Sequence, residues 1–303
     1  MKIAVAIATT GRPNVVAQTL SRLERQTRAP DHVLVVGAAD ADLPSRQDSG
    51  SVQFVLSDRG SSKQRNRALD LLGAEFEIIV FFDDDFVPAR DFIAGVEQLM
   101  TAHPEVVAAS GHLLADGFGS AGLSFAEADD LILAYERDGP EAPYVIDQPG
   151  AYGCNMVIRR TALPQARFDE NLPLYGWLED LDFSASFARA GRIVKTGLCV
   201  GVHLGAKTGR SPGLQLGYSQ IANPLYLAAK RAMPRRRAVT MACKNVIGNS
   251  LRSLAPEPYV DRRGRLRGNL LAIGDLIRRR IHPMRVLDLK CVPRSPSTRR
   301  IML

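Results

Sequence analysis

The chain has 303 residues, 46% of them hydrophobic and 23% charged, the profile of a soluble globular protein with room for two domains, or one large α/β domain with an extension. Its 25 glycines and 18 prolines fit neither a collagen-like nor a low-complexity chain, and no stretch approaches the ~18 uncharged apolar residues of a membrane-spanning helix. The net charge of +7 is unevenly spread: from Lys230 to the end there are 19 Lys and Arg against 4 Asp and Glu, so a mildly acidic body carries a strongly basic tail.

The first apolar run, Lys2–Ala8, is too short for a signal peptide and reads as a buried strand. Pro13 suits a first helical turn, and Val16, Leu20 and Leu23 continue at helical spacing. His32–Val36 and Val52–Leu56 are short β-rich runs, and a helix is expected from Ser62 to Leu72. Phe76–Phe82 is nearly all apolar, as for a central strand buried on both faces, and it stops at Asp83-Asp84-Asp85. A helix follows Pro88, with Phe92, Val96 and Leu99 on one side, and Val106–Leu114 reads as the next strand. The second half is less regular: a turn and strand over Gly150–Arg160, a helix over Leu178–Ala190 stopped by Gly191, and a strand at Val200–Leu204. From Leu214 onward the pattern is helical and basic. Strands alternating with helices at this spacing predict an α/β fold, a mixed, mostly parallel sheet flanked by helices, with ligands bound beyond the carboxyl ends of the strands. Cys154, Cys199, Cys243 and Cys291 form no C-x-x-C pair, which points away from a zinc ribbon or a disulfide framework and toward a reducing, cytoplasmic setting.

Three clusters carry chemistry. Three adjacent carboxylates at a strand end repel one another, and a divalent cation with a phosphate-bearing ligand relieves that repulsion; an acidic helix cap explains one of them but not three. Alternation along an extended chain sends Asp83 and Asp85 one way and Asp84 the other. Glu179, Asp180 and Asp182 stand at a helix start, either as ordinary first-turn acids or, beside Trp177 (the chain's single tryptophan), as a sugar site with an aromatic face and carboxylates for hydroxyls. His203 is a structural histidine or, beside a carboxylate-bound metal, a further ligand. Ser61, Ser62, Lys63 and Arg65 form either a phosphate-binding helix start or a solvated one. Gly117–Gly122 matches G-x-G-x-x-G literally but lies mid-chain, and reads as a flexible loop.

In order and spacing, Ala8-Thr9-Thr10-Gly11-Arg12-Pro13, Gly60–Ala68, Phe81-Phe82-Asp83-Asp84-Asp85, Gly153–Arg160, Phe168-Asp169-Glu170 and Tyr175–Phe183 resemble the family 2 nucleotide-sugar glycosyltransferases over roughly residues 1–210. The resemblance implies a glycosyltransferase A-type fold, with a catalytic domain over 1–212 (donor half 1–115, acceptor half 116–212) and a helical basic extension over 213–303 whose last ~15 residues are flexible. It implies Mn²⁺ or Mg²⁺ held by Asp83 and Asp85, with His203 as a third ligand, and Asp180 as the general base of an inverting transfer from a nucleotide-diphosphate sugar to an acceptor hydroxyl. By the same resemblance Thr9, Thr10, Arg12 and Arg65 belong to the nucleotide side, Gly153 and Asn155 to the donor sugar, and Trp177 and Glu179 to the acceptor; Lys63, Asn66 and Asp84 are counted among the substrate-binding residues. The family's acid at the end of the second strand is delayed here to Asp40, which leaves the base open.

In the tail, Leu266, Leu270, Ile273, Ile277 and Ile281 share one helical face flanked by arginines. This face either lies in an anionic membrane surface, which points to a lipid-linked glycan acceptor at the inner face of the cell membrane, or packs on the catalytic domain. The alternatives to a glycosyltransferase of polysaccharide or glycolipid assembly are a sugar nucleotidyltransferase, disfavoured by a single glycine in the Ala8–Pro13 loop, and a non-enzymatic binding module. The basic residues lack interleaved aromatics, so no nucleic-acid partner is expected.

Overall fold

The computed structural model describes residues 1–45, 50–139, 143–208 and 211–289. Cys291, Arg210 and nearly all of the expected flexible end lie outside these residues.

Strands β1 (Ile3–Ala8), β2 (His32–Gly37), β3 (Val52–Leu56) and β4 (Ile78–Asp83) pair in parallel in the order β3-β2-β1-β4. Their connections include helices α1 (Pro13–Leu23) and α2 (Ser61–Leu71). Alternation builds two core layers from single strands. Ile3, Val5 and Ile7 of β1 face α1 residues Val16, Leu20 and Leu23, while Ala4 and Ala6 face Ala68 and Leu69 of α2. Because Ala8 pairs with both Val36 and Asp83, the carboxyl ends of β1, β2 and β4 finish at one level, and the loops that follow them converge.

Past β4 the sheet turns mixed. A tight turn at Asp84-Asp85 leads into β5 (Phe86–Pro88), then come α3 (Phe92–Ala102), β6 (Val106–Asp116), α4 (Phe125–Asp138), β7 (Val145–Asp147), β8 (Asn155–Arg159), α5 (Glu179–Ala185) and β9 (Arg192–His203). The sheet continues β4-β8-β6-β9-β5, with β8 antiparallel to both neighbours, β6 and β9 parallel, and β7 antiparallel to β9. Two pairings matter for the site: Phe86 sits opposite His203, and Asp116 sits beside His203. The ends of β4, β6 and β9 thus meet at the acidic triplet.

Several elements differ from the sequence reading. The final strand runs over twelve residues rather than five, and β5 occupies the stretch to Pro88 where only a helix start is legible. Helix α4 carries a capping box between Ser124 and Glu127, an S-x-x-E signal present in the sequence but not read there. The expected helix over Leu178–Ala190 is α5 followed by a 3₁₀ turn, Ser186–Arg189. The Gly117–Gly122 segment is not a loose loop. A Cβ on Gly117 would lie 2.0 Å from the Leu204 carbonyl oxygen, so the segment is pressed against the chain just past His203.

Three helices follow, α6 (Gly213–Ala229), α7 (Arg235–Arg252) and α8 (Arg262–Ile277). They pack on the body through Leu227, Met233 and Ala238 against Leu172, Leu178 and Leu181. Lys230 at the end of α6 reaches Asp169 at 2.7 Å and Asp182 at 2.8 Å. The predicted apolar face of the tail needs correction on two counts. Ile281 lies beyond the end of α8, and α8 meets α6 through Gly268, Asn269, Ala272 and Asp275, leaving Leu270 and Ile277 exposed. Close backbone approach selects the small residues: a Cβ on Gly217 of α6 would come within 2.1 Å of the Arg265 carbonyl oxygen.

Candidate active site

Beyond the strand ends lie two adjoining clefts that share Ser61, Arg65, Asp83 and Tyr175. The first is lined by Thr9, Thr10, Arg12, Arg59, Gln64 and Asp84 among others. The second, of about 290 Å³, takes Phe118, Tyr152, Gly153, Trp177, Glu179 and Asp180 from the body and Arg237 from α7.

The triplet divides as alternation predicts. Asp84 is buried under the first loop, where it accepts hydrogen bonds from the Thr9 hydroxyl (2.8 Å) and Arg12 Nη1 (2.7 Å). Burial pushes its carboxyl pKa up, against the pull of the Arg12 charge. Arg12 also donates to the carbonyls of Ala206 and Thr208, tying the first loop to the segment after β9. Asp83 and Asp85 turn toward His203, whose Nε2 is 3.7 Å from Asp83 Oδ2 and 3.4 Å from Asp85 Oδ1. One ligand atom from each of the three lies within 4.8 Å of the others. Two carboxylates and an imidazole are a hard, mixed O/N donor set that suits Mn²⁺ or Mg²⁺.

His203 is oriented from behind. Its Nδ1 lies 2.9 Å from Asp116 Oδ1, and that carboxylate also accepts from Phe118 N (2.9 Å) and the Tyr152 hydroxyl (3.1 Å). A carboxylate accepts only, so Nδ1 carries the proton and Nε2 faces the two aspartates. Burial works against the imidazolium, but hydrogen bonds to Asp116 and Asp85 and the charges of Asp85 and Asp83 outweigh it and raise the pKa to about 10. Asp85 moves the other way, below the usual carboxylate range despite its burial, held there by His203 and Arg12. Asp116 escapes sequence reading because its role depends on strand register, not on spacing.

Arg65 is buried at the junction of the clefts. Its Nη2 donates to Asp83 Oδ1 at 2.8 Å and to the Gly153 carbonyl at 3.0 Å, and its Nη1 pairs with Glu179 Oε1. It is therefore bound to carboxylates on both sides. Burial raises the Glu179 carboxyl to about 8, opposed by Arg65, and its second oxygen has no hydrogen-bond partner. Asp180 is clamped by backbone donors, Oδ2 by Gly153 N at 2.9 Å and Oδ1 by Leu181 N at 2.8 Å. Burial raises its pKa against those bonds, a direction that suits a proton acceptor. Gly153 is tightly enclosed: a Cβ there would sit 3.1 Å from Asp180 Cβ and 3.2 Å from Arg65 Nη1, so these groups would have to give by a few tenths of an ångström. The loop leading to α5 is strained, with Leu174 and Leu178 at φ of 59° and 74°; it is pinned by Ser61 N to Leu174 O (2.8 Å) and Asn223 Nδ2 to Trp177 O (2.7 Å).

Other expected residues fall elsewhere. Asp40 is exposed and lines neither cleft; the acid at this strand end that reaches the first loop is Asp42, which accepts from Gly11 N at 2.6 Å and from Ala38 N and Ala39 N. Lys63 pairs with Asp58 at 2.8 Å on the surface, away from both clefts. Asn66 ties α2 to Phe168 and Glu170. Asn155 is wholly buried, with neither amide atom bonded, and lines neither cleft. Sequence reasoning passed over Gln64, which bonds the carbonyls of Thr9 (2.7 Å) and Val36 (2.8 Å), and Arg59 at the rim of the first cleft.

No protein-family model and no curated protein matches the chain. Among solved structures it is similar to S. aureus TarS 1–349 in complex with UDP-GlcNAc, at 13% identity over 92% of this chain and 81% of that one, with a TM-score of 0.53. It is likewise similar to TarS 1–349 alone, at 15% identity over 94% and 82% (TM-score 0.50). GalNAc-T7 with UDP, GalNAc and Mn²⁺ matches at 12% identity over 92% of this chain and 57% of that one (TM-score 0.55). At these identities the likeness shows the fold, which is of the glycosyltransferase A type.

Proposed function

We propose that the protein is a metal-dependent, inverting glycosyltransferase that moves a sugar from a nucleotide-diphosphate sugar to an acceptor hydroxyl, in polysaccharide or glycolipid assembly at the cytoplasmic face of a membrane. One observation carries this reading: Asp83, which lines both clefts, forms a three-ligand cluster with the buried Asp85 and His203, and Asp180 lines the second cleft. Solved proteins of the same fold hold UDP-GlcNAc, or UDP with Mn²⁺. Asp83, Asp85 and His203 would hold Mn²⁺ or Mg²⁺, which supplies positive charge against the departing diphosphate.

The first cleft is the nucleotide side, with Thr9, Thr10, Arg12 and Gln64 shaping it and Arg59 as the exposed cation at its rim. The second is the acceptor side, where Tyr152, Tyr175 and Trp177 offer aromatic faces to a sugar ring. Asp180 accepts the proton of the acceptor hydroxyl as that oxygen attacks the donor carbon from the side opposite the leaving group. Arg65 holds Asp83 and Glu179 in register across the junction. In domain terms, 1–212 is the catalytic unit and 213 onward a helical extension, although Leu174, Tyr175 and Ser211 line the nucleotide cleft, so the donor and acceptor halves interleave.

Titration calorimetry of UDP, GDP and dTDP, each with and without Mn²⁺, tests the reading. The expected result is metal-dependent binding of one nucleotide, abolished in the Asp83→Ala/Asp85→Ala double variant. Absence of binding by every nucleotide, or binding unchanged in that variant, overturns it.

A further inference from the structure

Helices α7 and α8 lie on α6 through a polar seam. Asn249 Nδ2 donates to Gln220 Oε1 (2.8 Å) and Asn269 Oδ1 (2.9 Å), and Asn269 Nδ2 donates to the Gly217 carbonyl (2.6 Å). With successive residues about 100° apart around a helix, the residues opposite these buried positions face outward. On α7 they include Ile247 and Leu251, 58% and 66% exposed, with Leu254 just beyond at 82%. On α8 they include Leu270 and Ile277, 58% and 77% exposed. Exposed cations stand among them: Arg236 and Lys244 on α7, and Arg263, Arg267 and Arg278 on or beside α8. The three carboxylates of this stretch are engaged locally, Glu257 with Arg262, Asp261 on the α8 cap at Gly264, and Asp275 with Tyr218 and Arg280.

We propose that the outward face of α7 and α8 docks the protein on an anionic lipid bilayer, with the leucines and isoleucines entering the headgroup boundary and the arginines on lipid phosphates. Charge selects this occupant. A second copy of the same face would bring like charges together, and residues 290–303 carry Lys290, Arg294, Arg299 and Arg300 with no carboxylate, so neither complements the face. Among the described residues no helix is long and apolar enough to cross a membrane, so the association is at the surface. The geometry also links the bilayer to the reaction: α7 contributes Arg237 to the acceptor-side cleft, and Arg237 makes no hydrogen bond or ion pair among the described residues. Bilayer docking brings that rim toward the lipid, where an acceptor saccharide carried on a lipid phosphate is presented. This last step rests on the proposed function; the docking does not.

The test is sedimentation of the full chain with phosphatidylglycerol/phosphatidylcholine vesicles and with phosphatidylcholine alone. Binding is expected to the anionic vesicles, to weaken with salt, and to fall about 25-fold in Arg263→Gln/Arg267→Gln, at about 1 kcal/mol, or fivefold, per cation near the surface. Ile247→Glu/Leu251→Glu/Ile277→Glu, all at exposed positions, abolishes it without lowering the thermal midpoint. Equal binding to neutral vesicles, undiminished binding by these variants, or light scattering that shows a dimer dispersed by the glutamates overturns the proposal. Mn²⁺-dependent nucleotide binding in the same preparations separates the two readings: its loss with vesicle binding intact removes the donor site and leaves the docking face standing.

Discussion

The α/β body and the helical layer invert each other. In the body, Leu34, Val80, Phe81 and Phe92 are wholly buried, and the buried Arg65, Asp84, Asp85, Glu179 and His203 gather at or beside the two clefts. In the layer, Asn223, Asn249, Asn269 and Asp275 are buried, while Leu251, Leu254, Leu270 and Ile277 stand in solvent. The body is held by apolar area on both faces of a sheet, each side chain contributing about 1.5–3 kcal/mol. The layer is held by a smaller apolar cluster around Tyr218, Ile221 and Leu227 and, between its helices, by close backbone approach and amide hydrogen bonds, which frees several large apolar residues for another surface. An apolar stripe therefore marks the buried side of α1 but the outer side of α8.

The sharpest break between the regions is chemical. Asp180→Asn keeps the shape and one of the two backbone bonds, since an amide nitrogen cannot accept the other, and removes the proton acceptor, so sugar transfer falls by about 10²–10⁴. Nucleotide and Mn²⁺ binding stay at the unmodified level, and docking on anionic vesicles is untouched. Single-turnover transfer measured beside nucleotide calorimetry checks this; equal losses in both would make Asp180 a structural residue of the cleft.

The second effect is a pH dependence centred on the body. In metal-free protein His203 has its pKa raised from 6.5 to about 10, so its contribution to stability is complete below about pH 6.5 and is lost as pH rises toward 10. Glu179, raised to about 8, has the same sign: the folded state holds its proton, and stability declines as pH climbs from the unfolded value through 8. Asp85 is lowered, so its contribution is lost only on acidification below the ordinary carboxylate range. Stability measured by denaturant in EDTA should peak at about pH 4 and decline from there toward pH 10. His203→Gln removes the upper part of that decline. A flat profile above pH 7 would mean that Asp116 and Asp85 do not hold the imidazolium.

These contrasts also account for what the sequence discloses. Strands β1 to β4 and the division of the triplet are legible because burial on two faces and alternation are local patterns. The E-D pair is legible because its residues are adjacent in the chain. Asp116 is not, since it reaches His203 only through the parallel register of β6 and β9, 87 residues apart in sequence. Asp42 replaces Asp40 as the acid that reaches the first loop because a 3₁₀ turn over Asp40–Asp42 carries the chain one step further before a carboxylate can face Gly11. Strand β9 begins eight residues before the expected Val200. Gly201 within it lies against Phe86, a Cβ there falling 2.4 Å from its ring.

The smallest expected effect tests the inversion itself. Leu34 lies at full burial in β2, and Leu34→Ala should cost about 2–5 kcal/mol, through lost transfer energy and the cavity left behind. Leu270 is the same residue type on a helix face and 58% exposed, so Leu270→Ala should change stability by no more than about 0.5 kcal/mol. Both are read by urea denaturation of the full chain. If Leu270→Ala costs as much as a core truncation, the face is covered in solution, by self-association or by the chain itself. Concentration dependence of the unfolding midpoint tells those two apart, because only self-association varies with protein concentration. A negligible cost leaves the leucine free, and a surface leucine that does nothing for the fold while standing one turn from the exposed Arg267 is what a bilayer-facing helix requires.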